Sequence, residues 1–529
     1  MIAFPFMAIR FCLNQPIETM GFRIEENADQ IEIEIPATAT DQLHYRLSSA
    51  GDSFVISDDL RTLYQPSDSV DENAIYSLLQ FGAVIPPLSP WKQIRRVAPG
   101  AITTFSKSNV KEPGVRRVAD RQDIDGTDAA EEQIDKDELT SEIVSHLDAV
   151  LLGCKDSPVI ILFSGGVDSG ILAARAAAIG LDVTLVNYCF GKGDQESLHA
   201  ERMAQHLGLK FTRIYDSGSE IEDVLDHAAQ YYRIPFVDHS TLPTSALIRS
   251  VIKRFNERAI VFDGTGADGA FGLFGKAKPW QRISSLPRTL RNLGAATYKL
   301  TRAYVRNNEL EFRLRLLRRS AQLEYPLVAV AQNPLEGIAF HASPIVKGTV
   351  DHLAMHWVSY LSDSDPRRQI AALDLALVCS AIFAQKSKSL YAGTSLEVVY
   401  PFLSPAMIRL AYKSLFVNGL SKQPKALLKA ALARHVPQEM VYRTKSGFVA
   451  PIEEKFKQKA FLGAFDNLLK PGAPLHEFVD STFLRMLRPR LMEGKPLPSQ
   501  TGIFIWGAVF VNEWLAQMQT LRTFHQDKI

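Results

Sequence analysis

The hydrophobic pattern divides the chain into stretches of different period. Over residues 1–106, short strand-like runs are separated by turns; in Gln30–Ile35 apolar and polar positions alternate, and Phe54–Ile56 is a second run. Apolar positions at helical spacing then predict a helix over Glu72–Phe81, followed by a turn at Pro86-Pro87. Residues 107–136 are polar and charged with few apolar positions, which predicts a linker. From Leu139 a helical period leads into Val159–Phe163, a continuous apolar run of the kind a strand buried on both faces requires. Strand-like runs at 181–188, 211–215 and 259–263 alternate with helical stretches, the pattern of a doubly wound parallel sheet. Residues 365–450 are helical by period, and another apolar helix is expected around Phe504–Met518.

The fold class expected is therefore α/β. A small α+β region (1–106) and a polar linker (107–136) precede a doubly wound parallel sheet with a helical C-terminal portion (137–529). A chain of 529 residues exceeds one ordinary core, and 46% hydrophobic with 22% charged residues is a globular composition. The net charge of +1 shows no commitment to nucleic acid or to a membrane surface. Cys12, Cys154, Cys189 and Cys379 lie far apart without metal-binding spacing, which fits a reducing cytoplasm. Neither a signal peptide nor a run of 18 apolar residues is evident, so no transmembrane segment is expected. Twelve Lys and Arg residues fall within 276–319 against Glu309 and Glu311 alone. This is the composition of a solvated helical face, or of a surface that docks an acidic partner, a peptide or a membrane surface.

Three motifs carry candidate chemistry. Ser164-Gly165-Gly166-Val167-Asp168-Ser169 joins the first apolar strand to a helical run. A glycine turn between a strand and a helix start makes an anion site, because backbone N–H groups and the helix dipole converge there. Asp168 would repel phosphate in that cradle unless a divalent cation bridged them, which points to magnesium and pyrophosphate. The dinucleotide and Walker fingerprints are absent from this loop. Asp263-Gly264-Thr265-Gly266-Ala267-Asp268 forms a second strand-end glycine turn with an aspartate, and doubly wound sheets gather ligands at strand carboxyl ends. The third motif runs from Lys425 on an amphipathic helix to Arg443-Thr444-Lys445-Ser446-Gly447-Phe448, where a lysine beside glycine could neutralise charge on a departing pyrophosphate.

In this order, and with Leu396-Glu397-Val398-Val399-Tyr400-Pro401-Phe402-Leu403 between them, these motifs resemble the asparagine synthetase family over about residues 140–460. A weaker likeness upstream, from Phe54-Val-Ile-Ser-Asp-Asp-Leu to Val97-Ala-Pro-Gly-Ala, resembles the latter part of that family's glutaminase domain. The resemblance implies an ATP-pyrophosphatase fold that uses ATP and Mg2+ to activate a substrate carboxylate as an acyl-adenylate, which ammonia or an amine then attacks. It implies that Ser164, Gly165, Gly166, Asp168 and Ser169 hold pyrophosphate and that Asp168 and Asp268 hold magnesium. Leu162, Tyr188, Gly264 and Thr265 would contact the nucleotide. Lys445, and less directly Lys425, would be catalytic.

Departures from the pattern shape the expectation further. Glutamine-using members need an N-terminal cysteine, whereas residue 2 is Ile2 and Cys12 lies in an apolar run, so no glutamine hydrolysis is expected. Thr265 stands where the family carries an acidic residue, Asp268-Gly269 where it carries Asp-Glu, Lys388-Ser389 where it carries Asp-Arg, and Val399-Tyr400-Pro401-Phe402-Leu403-Ser404 where it carries an arginine before Pro-Phe-Leu-Asp. Losing an arginine that grips a carboxylate through two hydrogen bonds disfavours free aspartate as substrate. An amide ligase joining a larger carboxylate to ammonia or to an amine already in the substrate is expected, with macrolactam closure of a peptide one form. The alternatives are an asparagine synthetase or a sugar-acid amidotransferase running on ammonia, and a catalytically silent scaffold. Nucleobase thiolation on the same fold would need reactive cysteines and a basic RNA-binding domain, and neither is evident.

Overall fold

The computed structural model describes residues 9–12, 21–48, 52–107, 112–117, 135–191, 193–216, 220–255, 257–272, 282–283, 285–301, 343–361, 366–414, 424–443, 452–495, 497 and 499–520. Strict alternation makes β3 (Gln30–Ile35) a half-buried strand, with Ile31, Ile33 and Ile35 inward and Gln30, Glu32 and Glu34 on the wetter face. It pairs antiparallel with β2 (Arg23–Glu26) and β7 (Ala101–Ser106), and β7 carries β8 (Gly114–Arg117) on its other edge. β8 falls inside the stretch expected to be a linker. A second sheet runs in the order β1 (Ile9–Cys12), β5 (Phe54–Ser57), β4 (His44–Leu47), β6 (Arg95–Arg96). The two sheets share a core in which Tyr45, Phe54 and Phe105 meet edge to face at 5.1–5.9 Å.

The expected helix Glu72–Phe81 forms, with Asp71 accepting from the Asn73 N–H at its start. Its apolar face joins a much larger core that also takes in the parallel sheet and the C-terminal helices. Trp91 packs 5.4 Å from Trp514, and the Trp357 indole donates to the Pro99 carbonyl at 3.2 Å. The N-terminal sheets are thus fastened to the rest of the chain through residues 60–101.

The larger body is built on a five-stranded, wholly parallel sheet. β9 (Val159–Leu162), β10 (Val183–Cys189) and β11 (Lys210–Tyr215) run outward in one direction, and the chain then returns to place β12 (Ala259–Phe262) and β13 (Leu396–Val399) on the other side of β9. The fold is therefore α/β and doubly wound, with a helical C-terminal portion. Strand order reverses between β9 and β12, and such a reversal opens a crevice beyond the strand ends because successive crossovers leave on opposite faces. Both glycine turns sit at that reversal. β13 lies within the stretch expected to be helical.

Helical period over 365–450 becomes the continuous helix Gln369–Tyr391, whose central part, Asp374–Ala384, is π-helical. This helix is long and apolar enough to cross a membrane, but 94% of its apolar window is buried inside the fold, as a helix apolar on all sides requires. The expected helix around Phe504–Met518 spans Ser499–Thr520, where the indoles of Trp506 and Trp514 donate to the carbonyls of Asp238 and Tyr232 at 2.9 and 2.8 Å.

Candidate active site

The first turn is built by conformational necessity. Gly165 has φ +68°, and a Cβ there would lie 2.7 Å from the Cα of Ala200 in the helix Gln195–His206. Gly165→Ala is expected to lower the unfolding midpoint by several degrees, corresponding to about 1–3 kcal/mol, and to abolish ATP binding. Thermal unfolding and equilibrium dialysis with labelled ATP test this. Gly166 caps the helix Val167–Ala178 with no side chain on its first N–H groups, so they face the turn. Ser164 and Ser169 close the loop on itself: the Ser164 N–H donates to the Ser169 hydroxyl at 3.1 Å, and the Gly166 N–H donates to the Ser164 hydroxyl at 3.3 Å.

The second turn presses against the first. A Cβ on Gly264 would come within 3.2 Å of the Asp168 Cβ, so the two loops are neighbours. Asp263 is held inward, its carboxylate accepting from the Thr265 N–H (2.9 Å) and hydroxyl (2.7 Å), and burial raises its pKa. Thr265 is therefore committed to the turn itself. Gly266, at φ +104° against Leu403, turns the chain into the short helix Ala267–Phe271 and lifts Asp268 outward, where it is 79% exposed.

Asp168 and Asp268 converge on one cation, the ammonium of Lys425. Its Nζ lies 2.6 Å from Asp168 Oδ2 and 2.7 Å from Asp268 Oδ1. Burial alone would lower the Lys425 pKa, but the two carboxylates outweigh it and raise it. Lys425 reaches this point from a left-handed backbone (φ 58°, ψ 31°) just before the helix Ala426–Leu432, its N–H donating to the Phe271 carbonyl. Two carboxylates drawn to a single positive point, beside a turn lined with N–H groups, fit a divalent cation shared with phosphates. Magnesium commonly takes one or two protein carboxylates and completes its octahedron with phosphate oxygens and water. Among the described residues no group of three or more metal-ligating side chains occurs.

Leu162 ends β9 beside the first turn, half-buried. Tyr188 is buried near the end of β10, 5.2 Å edge-on to Phe190, and burial with the charges of Asp216 and Glu220 drives its hydroxyl pKa well up. It remains a neutral aromatic wall. Lys445 and most of the basic 276–319 segment lie outside the described residues. Sequence reasoning left Arg443 and Glu196 without roles. Arg443 grips Glu196 through both terminal guanidinium nitrogens, one contact at 3.1 Å, and so is tied to the helix that covers the first turn. An Arg two residues before a glycine-loop lysine and a Glu in a first helical turn were the available signals. Arg443→Ala is expected to raise KM for ATP about tenfold with little change in the unfolding midpoint, measurable by steady-state kinetics.

On the acceptor side, the departures from the family pattern have structural uses. Lys388 pairs with Asp41 and lies 3.4 Å from the Thr40 hydroxyl, so it joins the N-terminal part to the body. Ser404 meets His146 at 2.8 Å. The Tyr400 hydroxyl sits 2.8 Å from that of Ser387 and donates to the Ala384 carbonyl.

A family model described as asparagine synthase matches residues 147–516, so the likeness extends past residue 460 to include most of the last apolar helix. No curated protein matches the chain. Among solved structures, the NMN synthetase from Francisella tularensis is similar at 17% identity and a TM-score of 0.19, covering 26% of this chain and 58% of that one. The NH3-dependent NAD synthetase from Campylobacter jejuni subsp. jejuni NCTC 11168, in complex with nitrate, is similar at 14% identity and a TM-score of 0.20, covering 36% and 96%.

Proposed function

Because the chain belongs to the asparagine synthase family, we propose that it is an ATP-dependent ligase that activates a substrate carboxylate as an acyl-adenylate and couples it to ammonia or to a substrate amine. The observation that carries this reading is the convergence of Asp168 and Asp268, from two strand-end glycine turns, on a single cationic point at the sheet's switch point.

The N–H groups at the start of helix Val167–Ala178, with Ser164 and Ser169, cradle the β- and γ-phosphates. Asp168 and Asp268 would hold Mg2+, which supplies charge neutralisation on the phosphates and leaving pyrophosphate. Lys425 keeps the two carboxylates together before MgATP arrives, and its ammonium then turns to the pyrophosphate oxygens. Leu162 and Tyr188 would offer apolar walls to the nucleoside, and the backbone of Gly264 and Thr265, beside the first turn, would contact the nucleotide. Lys445, which lies outside the described residues, is assigned to the adenylate and the leaving group.

The nitrogen comes from free ammonia or from the substrate itself. Cys12 ends strand β1, paired with Ser57, where it has no free α-amine to serve as base. The absence of arginine at Val399 and of an acid at Thr265 favours a larger, less charged acid than aspartate, including a peptide carboxyl closing on its own amine. Among the described residues Cys154, Cys189 and Cys379 form no disulfide, which accords with a reducing compartment.

Incubation with ATP and candidate acids carrying 18O in the carboxylate tests the reading. AMP and pyrophosphate are expected, with one 18O transferred to AMP. Formation of ADP and phosphate instead, or an absence of nucleotide turnover with every acid and amine tried, would overturn it.

A further inference from the structure

One helix carries its apolar edge in water. Helix Arg288–Thr301 opens directly after Pro287. Leu290 and Leu293 stand one turn apart on one edge, 51% and 66% exposed, and Leu286, 38% exposed, lies four residues before Leu290. Leu300 continues that edge in register, while Arg288 and Lys299 fall roughly opposite Leu290 at 3.6 residues per turn. Arg288, Thr289, Asn292 and Ala296 are exposed as well, and Arg291 and Gly294 are half-buried. Among the described residues, the helix therefore rests on the protein by a narrow edge, and the leucines are not on it.

A helix of 14 residues is marginal in water unless an apolar face is covered. Its surroundings say what covers this one. Every charged residue of the helix is a cation, and the flanking stretch 276–319 holds twelve Lys and Arg against Glu309 and Glu311, in a chain whose net charge is only +1. Leucines along one edge and cations on the rest, with few other apolar positions, make a helix that lies in the plane of an anionic lipid surface. The leucines enter the boundary between headgroups and acyl chains, and the long basic side chains reach lipid phosphates. Fourteen residues are too few to cross a bilayer. A stable protein interface takes about 800 Å2 from each partner, far more than three leucines on an isolated edge present. A second copy of the chain would set like charge against like.

We propose that helix Arg288–Thr301 is an in-plane anchor that holds the protein reversibly on an anionic membrane surface. Leu286, Leu290 and Leu293 supply the apolar contact, and the basic residues of 276–319 draw the helix to the surface. Each part alone gives weak binding, so anionic lipid and the leucine edge are both required. Membrane docking of this kind is independent of the ligase reading.

Co-sedimentation of the full chain with lipid vesicles provides the test. At low salt, partitioning to phosphatidylcholine vesicles containing about 30% phosphatidylglycerol is expected to exceed that to pure phosphatidylcholine by about tenfold or more, and to fall by a similar factor at about 0.5 M NaCl. Leu290→Asn with Leu293→Asn should reduce partitioning to the mixed vesicles about tenfold and leave the unfolding midpoint unchanged, because both side chains are exposed. No partitioning to the mixed vesicles, equal partitioning to both kinds, or binding that survives the double substitution would each overturn the proposal. Binding of soluble poly-glutamate that the double substitution abolishes, with the mixed vesicles left unbound, would also overturn it and assign the edge to an acidic protein partner. If the variant does not fold, the vesicle measurements on the unaltered protein decide.

Discussion

Asp168→Asn is expected to reduce carboxylate-dependent ATP–pyrophosphate exchange by about 10²–10³-fold while leaving the unfolding midpoint within about 2 °C of the parent. The substitution keeps the shape of a side chain packed against Gly264 and removes only its charge. Lys425 retains a carboxylate partner in Asp268 and can still donate to the new amide oxygen, so the fold loses little. The proposed phosphate site loses one of the two negative groups that would draw a cation to it. The Mg2+ concentration giving half-maximal exchange should rise accordingly. Lys425→Met separates the two effects, because it removes the resident cation and leaves both carboxylates facing each other. It should tighten Mg2+ while lowering turnover. Undiminished exchange in Asp168→Asn would place the pyrophosphate site elsewhere, and an absence of exchange in the parent with every acid would favour a silent scaffold.

The parts of this site legible in the sequence are those that local rules dictate. A continuous apolar strand, a glycine turn and a helix start announce an anion cradle, and 159–170 has all three. The parallel sheet was equally legible, because strands buried on both faces are apolar throughout. β13 was not. Leu396–Val399 is four residues long and carries Glu397, and its strand character comes from pairing with β12, a contact between residues some 140 positions apart. The bridging role of Lys425 was hidden for a related reason: its sequence signature is that of an amphipathic helix, and only the left-handed backbone before Ala426 swings it between the two turns. Lys388 reads as a lost substrate group from its motif position, yet its partner is Asp41 across the fold. Long-range pairing decides such cases, and no local window contains it.

The same limit hid the most buried ion pair near the site, whose removal should have the largest effect on stability. Lys386, with its side chain 4% exposed, donates to Asp238, which is fully buried, and to Ser240 Oγ at 2.7 Å. Burial would push the Asp238 pKa up, but the charges of Lys386 and His239, with hydrogen bonds from Lys386 and Ser240, overcome it and hold it at about 2. Lys386→Met strands that carboxylate and is expected to destabilise the fold by about 3–5 kcal/mol, read from chemical denaturation. The double substitution Lys386→Met with Asp238→Asn should recover most of the loss, because the burial penalty of an unpaired charge then disappears. The sign with pH is fixed by the depressed value. Asp238 contributes stability above its unfolded pKa, near 3.8, and loses it as pH falls toward 2. The parent should therefore lose stability more steeply than Lys386→Met between about pH 4 and 2, so the two denaturation curves converge in acid. Parallel curves across that interval would show that the pair contributes nothing to the fold beyond its packing.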